Sequence, residues 1–161
     1  TCRLAGMQQR SPIRIVLDSN LRLPLTNALV TTAHEHKTWI VTKSDSNKER
    51  CAAYGDYGVE VLKADVGANG WLSMKQVMNV IGRQGITRLL VEGGPSVTSS
   101  LFQEGMVDRV AWFRAPTLLG GEGINVTLPL GLSKLADAII FRRLGIEVVG
   151  EDILESFAVV S

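Results

Sequence analysis

Thr87-Arg88-Leu89-Leu90-Val91-Glu92-Gly93-Gly94-Pro95-Ser96-Val97 runs from an apolar segment, through a glycine pair, into a proline. Thr87 to Val91 reads as a buried strand, because it is apolar on both faces near its end. Glu92-Gly93-Gly94-Pro95 breaks it. Pro95 suits the first turn of a helix that carries Val97 and Leu101 at i and i+4. Two glycines let a backbone approach a ligand closely, and the first N–H groups of the helix form an anion site with the hydroxyls of Ser96, Thr98 and Ser99 nearby. Two readings stand at this point: a pyrophosphate-holding turn at a strand's carboxyl end, or a plain tight turn.

Upstream, Ile13-Arg14-Ile15-Val16-Leu17 and Thr38-Trp39-Ile40-Val41-Thr42 read as strands from their β-branching and alternation. Ser46-Asn47-Lys48-Glu49 has the pattern of a capping box and starts a helix, with Gly55 as its stop. Val59 to Leu62 is a further short strand. Met74, Val77, Met78 and Ile81 fall at i, i+3, i+4 and i+7, one apolar helix face, and Gly85 ends it. Downstream, Val107–Phe113 reads as a strand and Leu118–Gly123 as a glycine-rich loop. Ala138–Arg143 and Ile153–Val160 follow as two strands with little helix between them. Alternating strands and helices predict a largely parallel sheet with helices on both faces; the last pair predicts an antiparallel C-terminal edge.

Composition agrees with a single α/β domain. The chain has 161 residues, 45% of them hydrophobic and 20% charged, enough for a core without disulfides. Its net charge of +1 sets up no field that draws it to nucleic acid or anionic lipid. No apolar run reaches the roughly 18–20 residues of a membrane span, and no secretory start is present, so a cytoplasmic location is the default expectation. Cys2 and Cys51 are too few for a disulfide framework or a zinc cluster.

Candidate chemistry gathers at strand ends. Glu92 leads the glycine turn, where a carboxylate accepts a hydrogen bond from a substrate or stands solvated. Ser19, in Asp18-Ser19-Asn20, either reaches the same ligand or simply forms a turn. Lys43 meets a 2′-phosphate or remains a surface cation. His34 and His36 lack further ligands nearby and read as surface residues. Cys51 reads as a core or half-buried thiol. Trp39 and Trp112 read as core; Trp71, at a helix start, is either core or surface. No Ser/His/Asp triad spacing, phosphate-binding P-loop or G-x-G-x-x-G fingerprint is present.

Several segments, in order, resemble one family. They are Ile13-Arg14-Ile15-Val16-Leu17-Asp18-Ser19, Leu90-Val91-Glu92-Gly93-Gly94-Pro95, Val107-Asp108-Arg109 and Ala115-Pro116-Thr117-Leu118-Leu119-Gly120-Gly121. Together they are similar to the reductase module of the bifunctional riboflavin-biosynthesis deaminase–reductase, over essentially the whole chain. The resemblance implies a dihydrofolate-reductase-like fold and NADPH-dependent reduction of 5-amino-6-(5-phosphoribosylamino)uracil to the ribitylamino product. It places Glu92 on a substrate-contacting glutamate, and Gly94, Pro95, Ser96, Val97, Thr98, Ser99 and Ser100 on the cofactor-binding segment. Ser19 falls on a cofactor contact. Thr1-Cys2-Arg3 resembles the end of the family's Asp-Asp-Pro-x-Leu-Thr-x-Arg stretch, which makes Arg3 the substrate-binding arginine. No proton donor is assigned by the resemblance.

The family's first strand and following helix, with the Asp-Asp-Pro acids, have no counterpart in this sequence. Their absence is expected to expose a sheet edge and part of the core, and to leave activity to a more complete chain. The deaminase's zinc motifs are missing too, so neither a metal nor deaminase activity is expected. A homodimer is the family-level expectation. Two other readings compete: a different dihydrofolate-reductase-like reductase, and a non-catalytic nucleotide-binding or dimerisation module.

Overall fold

Ile15 and Val16 sit in a strand, β1 (Arg14–Leu17), because a parallel neighbour covers their backbone. That neighbour is β2 (Thr38–Lys43), whose first five residues are all buried. β3 (Glu60–Ala64) pairs parallel on its other side, giving the order β1-β2-β3. A computed structural model describes residues 6–7, 10–67 and 70–160, so Arg3 lies outside the described residues. The chain divides into two compact units, Thr1–Arg88 and Leu89–Ser161.

In the first unit, parallel strands need crossovers, and helices supply them. α1 (Ala28–Thr31) is one short turn, begun by Asn27, whose side-chain oxygen accepts the Leu29 N–H at 2.9 Å. α2 (Lys48–Asp56) is capped by Asn47, which accepts the Arg50 N–H at 2.8 Å. The cap is thus one residue later than the Ser46 pattern implied. α3 (Met74–Arg83) starts at Ser73 and buries Met74, Val77 and Ile81, three of the four periodic residues. Gly85, at φ +87°, follows its end. Leu21, Val30, Ala33, Ile40, Tyr54 and Val59 form a buried cluster, with Cys51 and Val16 among the half-buried residues against it.

One polar group is built into this unit. Arg14 is buried, and its guanidinium donates to the Thr32 hydroxyl (2.8 Å), to the Thr32 and His36 carbonyls (3.1 and 2.7 Å) and to the Thr38 hydroxyl. These acceptors lie at the C-terminal end of α1 and the entry to β2, where helix carbonyls lack intrahelical partners. Burial pulls the Arg14 pKa down, and nearby Glu35 pulls it up.

In the second unit, α4 (Pro95–Gln103) precedes a three-stranded antiparallel sheet of order β4-β6-β5. β4 spans Arg109–Arg114, β5 Phe141–Val149 and β6 Asp152–Val159. Phe141 joins them, edge-to-face with Phe102 at 6.0 Å and tilted against Phe157 at 5.7 Å. Glu155 sits between Arg114 (3.8 Å) and Arg143 (3.1 Å).

Gly55, read as the stop of α2, lies inside it, and four larger expectations also need correction. Thr87–Val91 forms no strand, and Leu90 is 77% exposed. A strand is stabilised by its neighbours, and no chain segment pairs with this one among the described residues. The antiparallel part is three strands, not two, because β4 pairs with β6 rather than joining the parallel sheet. β5 begins at Phe141 and runs to Val149, since its hairpin with β6 through Gly150 sets the register. Trp112 is 42% exposed rather than core. Among the described residues, no helix is long and apolar enough to cross a membrane, and no cluster of three or more His, Cys, Asp or Glu is placed to hold a metal.

Arg14→Ala should lower the unfolding free energy by about 2–4 kcal/mol, because it strands several carbonyls and hydroxyls. Arg14→Lys should recover only part, since an ammonium lacks the planar fork. Urea unfolding followed by circular dichroism measures both.

Candidate functional site

Parallel pairing of β1 with β2 puts their carboxyl ends side by side, where open α/β sheets bind ligands. Between those ends lies a cavity of about 240 Å³. Ser19, Asn20 and Leu21 form one wall, from the loop after β1. Lys43, at the end of β2, and Asp45, Ser46, Asn47 and Arg50, around the start of α2, form the other. Two cations, two hydroxyls and two amides thus meet a single carboxylate, Asp45. That donor set suits a phosphate and the hydroxyls of a sugar better than an apolar ring.

The first wall is tightly braced. Asp18 is buried; its carboxylate accepts the Leu23 N–H at 2.7 Å and the Asn20 N–H at 3.3 Å. Thr42, on β2, donates its hydroxyl to the Ser19 carbonyl at 3.2 Å and shares a 2.8 Å hydrogen bond with Ser46. Leu21 holds φ +54° with its side chain buried, a left-handed conformation that costs a non-glycine residue about 1–2 kcal/mol. Its carbonyl accepts from Arg50 Nε, and the single Tyr54 hydroxyl proton is shared between the Leu23 carbonyl, the nearer acceptor, and the Leu21 carbonyl at 3.3 Å.

The glycine turn of the second unit is a separate feature. Gly93 and Gly94 take φ +119° and +95°, so both need glycine. Gly94 caps α4 with no side-chain hydrogen bond, and Pro95 fills the first helical position without an N–H. A Cβ built on either glycine meets no atom within 4 Å. Glu92 is exposed. Not every hydroxyl here faces outward. Ser99 is buried and its Oγ accepts the Leu128 N–H at 2.7 Å while donating to the Leu128 carbonyl at 3.3 Å; Ser100 donates to the Ser96 carbonyl at 3.1 Å. What the turn offers a ligand is open backbone and the side chains of Ser96 and Thr98.

The structure therefore places Ser19 in a cleft with Lys43, Ser46 and Arg50. The residues from Glu92 to Ser100 lie in the other unit. Sequence reading missed Asn20, Ser46, Asn47 and Arg50 as site residues; the available signal was a helix cap immediately after a strand end. Ser44, next to Lys43, instead donates to Asp65 at 2.8 Å. Cys51 is half-buried with the Lys63 ammonium 3.2 Å from its sulfur.

Burial raises the Tyr54 pKa above its ordinary 10.0, and the adjacent Arg50 guanidinium partly opposes this. The folded chain then holds this proton more tightly than the unfolded chain. The associated stability is intact below pH 10.0 and declines as pH climbs through the folded-state pKa. Tyr54→Phe should lack that decline, seen as a flatter plot of unfolding free energy against alkaline pH than the wild type gives.

Comparison with known proteins places this architecture. The riboflavin biosynthesis protein RibD of Actinobacillus pleuropneumoniae is 35% identical over 153 residues, covering 94% of this chain and 40% of that protein. A 2,5-diamino-6-ribosylamino-4(3H)-pyrimidinone 5′-phosphate reductase of Aquifex aeolicus is 28% identical over 153 residues, covering 94% of this chain and 66% of that protein. Among solved structures, Acinetobacter baumannii RibD superposes with a TM-score of 0.72 at 23% identity, over 92% of this chain and 38% of that one. A pyrimidine reductase-like protein of Corynebacterium diphtheriae gives 0.74 at 20% identity, over 100% of this chain and 69% of that one. The chain spans about two-fifths of the length of the RibD proteins it matches, 40% and 39% in two of them. These likenesses bear out the dihydrofolate-reductase-like α/β class. The family model described as the RibD C-terminal domain matches residues 1–154, and the chain belongs to that family.

Proposed function

We propose that this chain forms the reductase part of an enzyme of riboflavin biosynthesis, acting on 5-amino-6-(5-phosphoribosylamino)uracil with NADPH. Family membership supports the reaction class. The observation that carries the cofactor choice is the cleft at the carboxyl ends of β1 and β2, where Lys43 and Arg50 accompany Ser19 and Ser46. NADPH differs from NADH by a 2′-phosphate, and a cation pair beside hydroxyls is the chemistry that recognises it.

In this reading Lys43 and Arg50 bind the 2′-phosphate, and Ser19 and Ser46 hydrogen-bond the ribose. Gly94 to Ser100 contribute backbone contacts to the cofactor. Glu92 and Arg3 serve the substrate, Glu92 as acceptor and Arg3 as the cation for its phosphate. When bound, the cofactor supplies hydride to C1′ of the opened sugar. The chain's task is to hold the two reactants in line. We further propose that the protein works in the cytoplasm, where NADPH is available, and as a homodimer. Trp112, Ile146 and Val148, exposed on paired strands of the second unit, favour a partner surface there.

Titration by cofactor fluorescence tests this. The chain should bind NADPH at least about tenfold more tightly than NADH, and Lys43→Ala should erase most of that preference while leaving NADH affinity near its starting value. Equal affinity for both cofactors in the wild type would contradict the assignment of the cleft. Gly94→Val should also weaken NADPH binding, because it forces a β-branched residue to φ +95° and fills open space at the turn. Unchanged affinity in a folded Gly94→Val variant would remove that turn from the site.

A further inference from the structure

Tyr54 lies on α2, one turn beyond Arg50, and its side chain is fully buried in the cluster under β1 and β2. A phenylalanine would fill that space as well. What phenylalanine lacks is the hydroxyl, which reaches 31 and 33 residues back along the chain to the Leu23 and Leu21 carbonyls. Leu23 receives no other hydrogen bond on its carbonyl among the described residues. One of these carbonyls belongs to Leu21 itself, the only non-glycine position among the described residues with positive φ, and the other lies two residues beyond it. A leucine left to itself avoids that conformation. The bend persists because its surroundings over-determine it, as strained residues beside binding sites do.

The same bend orients Arg50. Its Nε donates to the Leu21 carbonyl, and its guanidinium lies 5.9 Å from the centroid of the Tyr54 ring. With Nε so engaged, the two terminal nitrogens are the donors left for the cleft that Arg50 lines. Loop, arginine and tyrosine form one connected unit, and Tyr54 is the member that does not line the cleft.

We propose that Tyr54 is a positioning residue for cofactor binding: its hydroxyl holds the Leu21–Leu23 backbone in the left-handed bend that shapes the Ser19–Leu21 wall and aims Arg50 into the cleft. This rests on the cofactor reading of that cleft. Tyr54 touches no ligand itself. It acts through the loop and through Arg50, so its loss should weaken NADPH more than NADH.

The test uses the whole chain with Tyr54→Phe, and Val77→Ala as a control that truncates a buried residue on α3 away from the loop. NADPH affinity should fall about three- to tenfold in Tyr54→Phe, the equilibrium worth of one hydrogen bond, with a smaller change for NADH. Amide exchange at Asn20 and Leu23, whose N–H groups are held by Asp18, should accelerate while the amides of β2 keep their protection. Val77→Ala should lose stability yet keep both the affinity and the loop protection. Wild-type-like affinity and loop exchange in Tyr54→Phe, or equal weakening in both variants, would overturn the proposal. If the wild type binds NADPH and Tyr54→Phe binds it equally well, this inference alone falls. If the wild type takes up no NADPH at millimolar concentration, the cofactor reading falls, and this inference with it.

Discussion

Four registered pairs, from Arg14–Thr38 to Leu17–Val41, set the parallel alignment of β1 and β2, and nearly everything in the first unit follows from it. The Asp18 N–H continues the ladder to the Val41 carbonyl at 2.9 Å, so the chain leaves β1 level with the end of β2. That is why Ser19 and Lys43 face one cleft although they are far apart in sequence. A slip of one residue would exchange the two faces of β1. Arg14 guards against it from the other end, because its fork fits only when the exit of α1 and the entry of β2 stand where they do. One end of the strand pair is pinned by a buried cation and the other by a buried carboxylate, Asp18.

The cleft shows how a fold diverts stability toward shape. Leu21 is held where an unconstrained leucine would not remain, and the neighbours that hold it come from three elements: Asp18 at the end of β1, Thr42 on β2, and Arg50 with Tyr54 on α2. Each hydrogen bond is modest alone. Together they leave the loop one conformation, so a ligand need not order it on arrival. The glycine turn of the second unit reaches an exposed backbone by a different route. Gly93 and Gly94 adopt positive φ without steric opposition, so that turn needs no comparable bracing.

Much of the first unit, and the helix that opens the second, was legible because the signals are local. β-branching marked β1 and β2, a 3.6-residue period marked α3, and Pro95 after two glycines marked α4. For Ser19 and the glycine turn before α4, residue types and position left a ligand contact and a plain turn both open, and the family resemblance is what assigns Ser19 and Gly94–Ser100 to the cofactor. Arg50 and Tyr54 were not legible, because their partners lie 29 to 33 residues away and no local pattern encodes such a contact. Thr87–Val91 failed for the opposite reason. Its composition suits a strand, but a strand also needs a neighbour, which composition does not supply. The shift of β5 toward Val149 has the same origin, since pairing with β6 outweighs the apolar run at Ala138–Phe141.

The uneven depth of burial has a consequence for how this chain opens. The parallel unit contains nearly all of the fully buried side chains, Trp39, Ile40, Val30 and Tyr54 among them. The antiparallel unit buries only Leu101 and Ser99 to a comparable degree among the described residues. Cooperative units of unequal depth do not open together; the shallower one samples open states at lower free energy. The chain is then better regarded as a firm platform joined to a yielding one. Proteases and oxidants would meet the Trp112 strand well before they reach Trp39, and a single melting midpoint would describe mainly the platform.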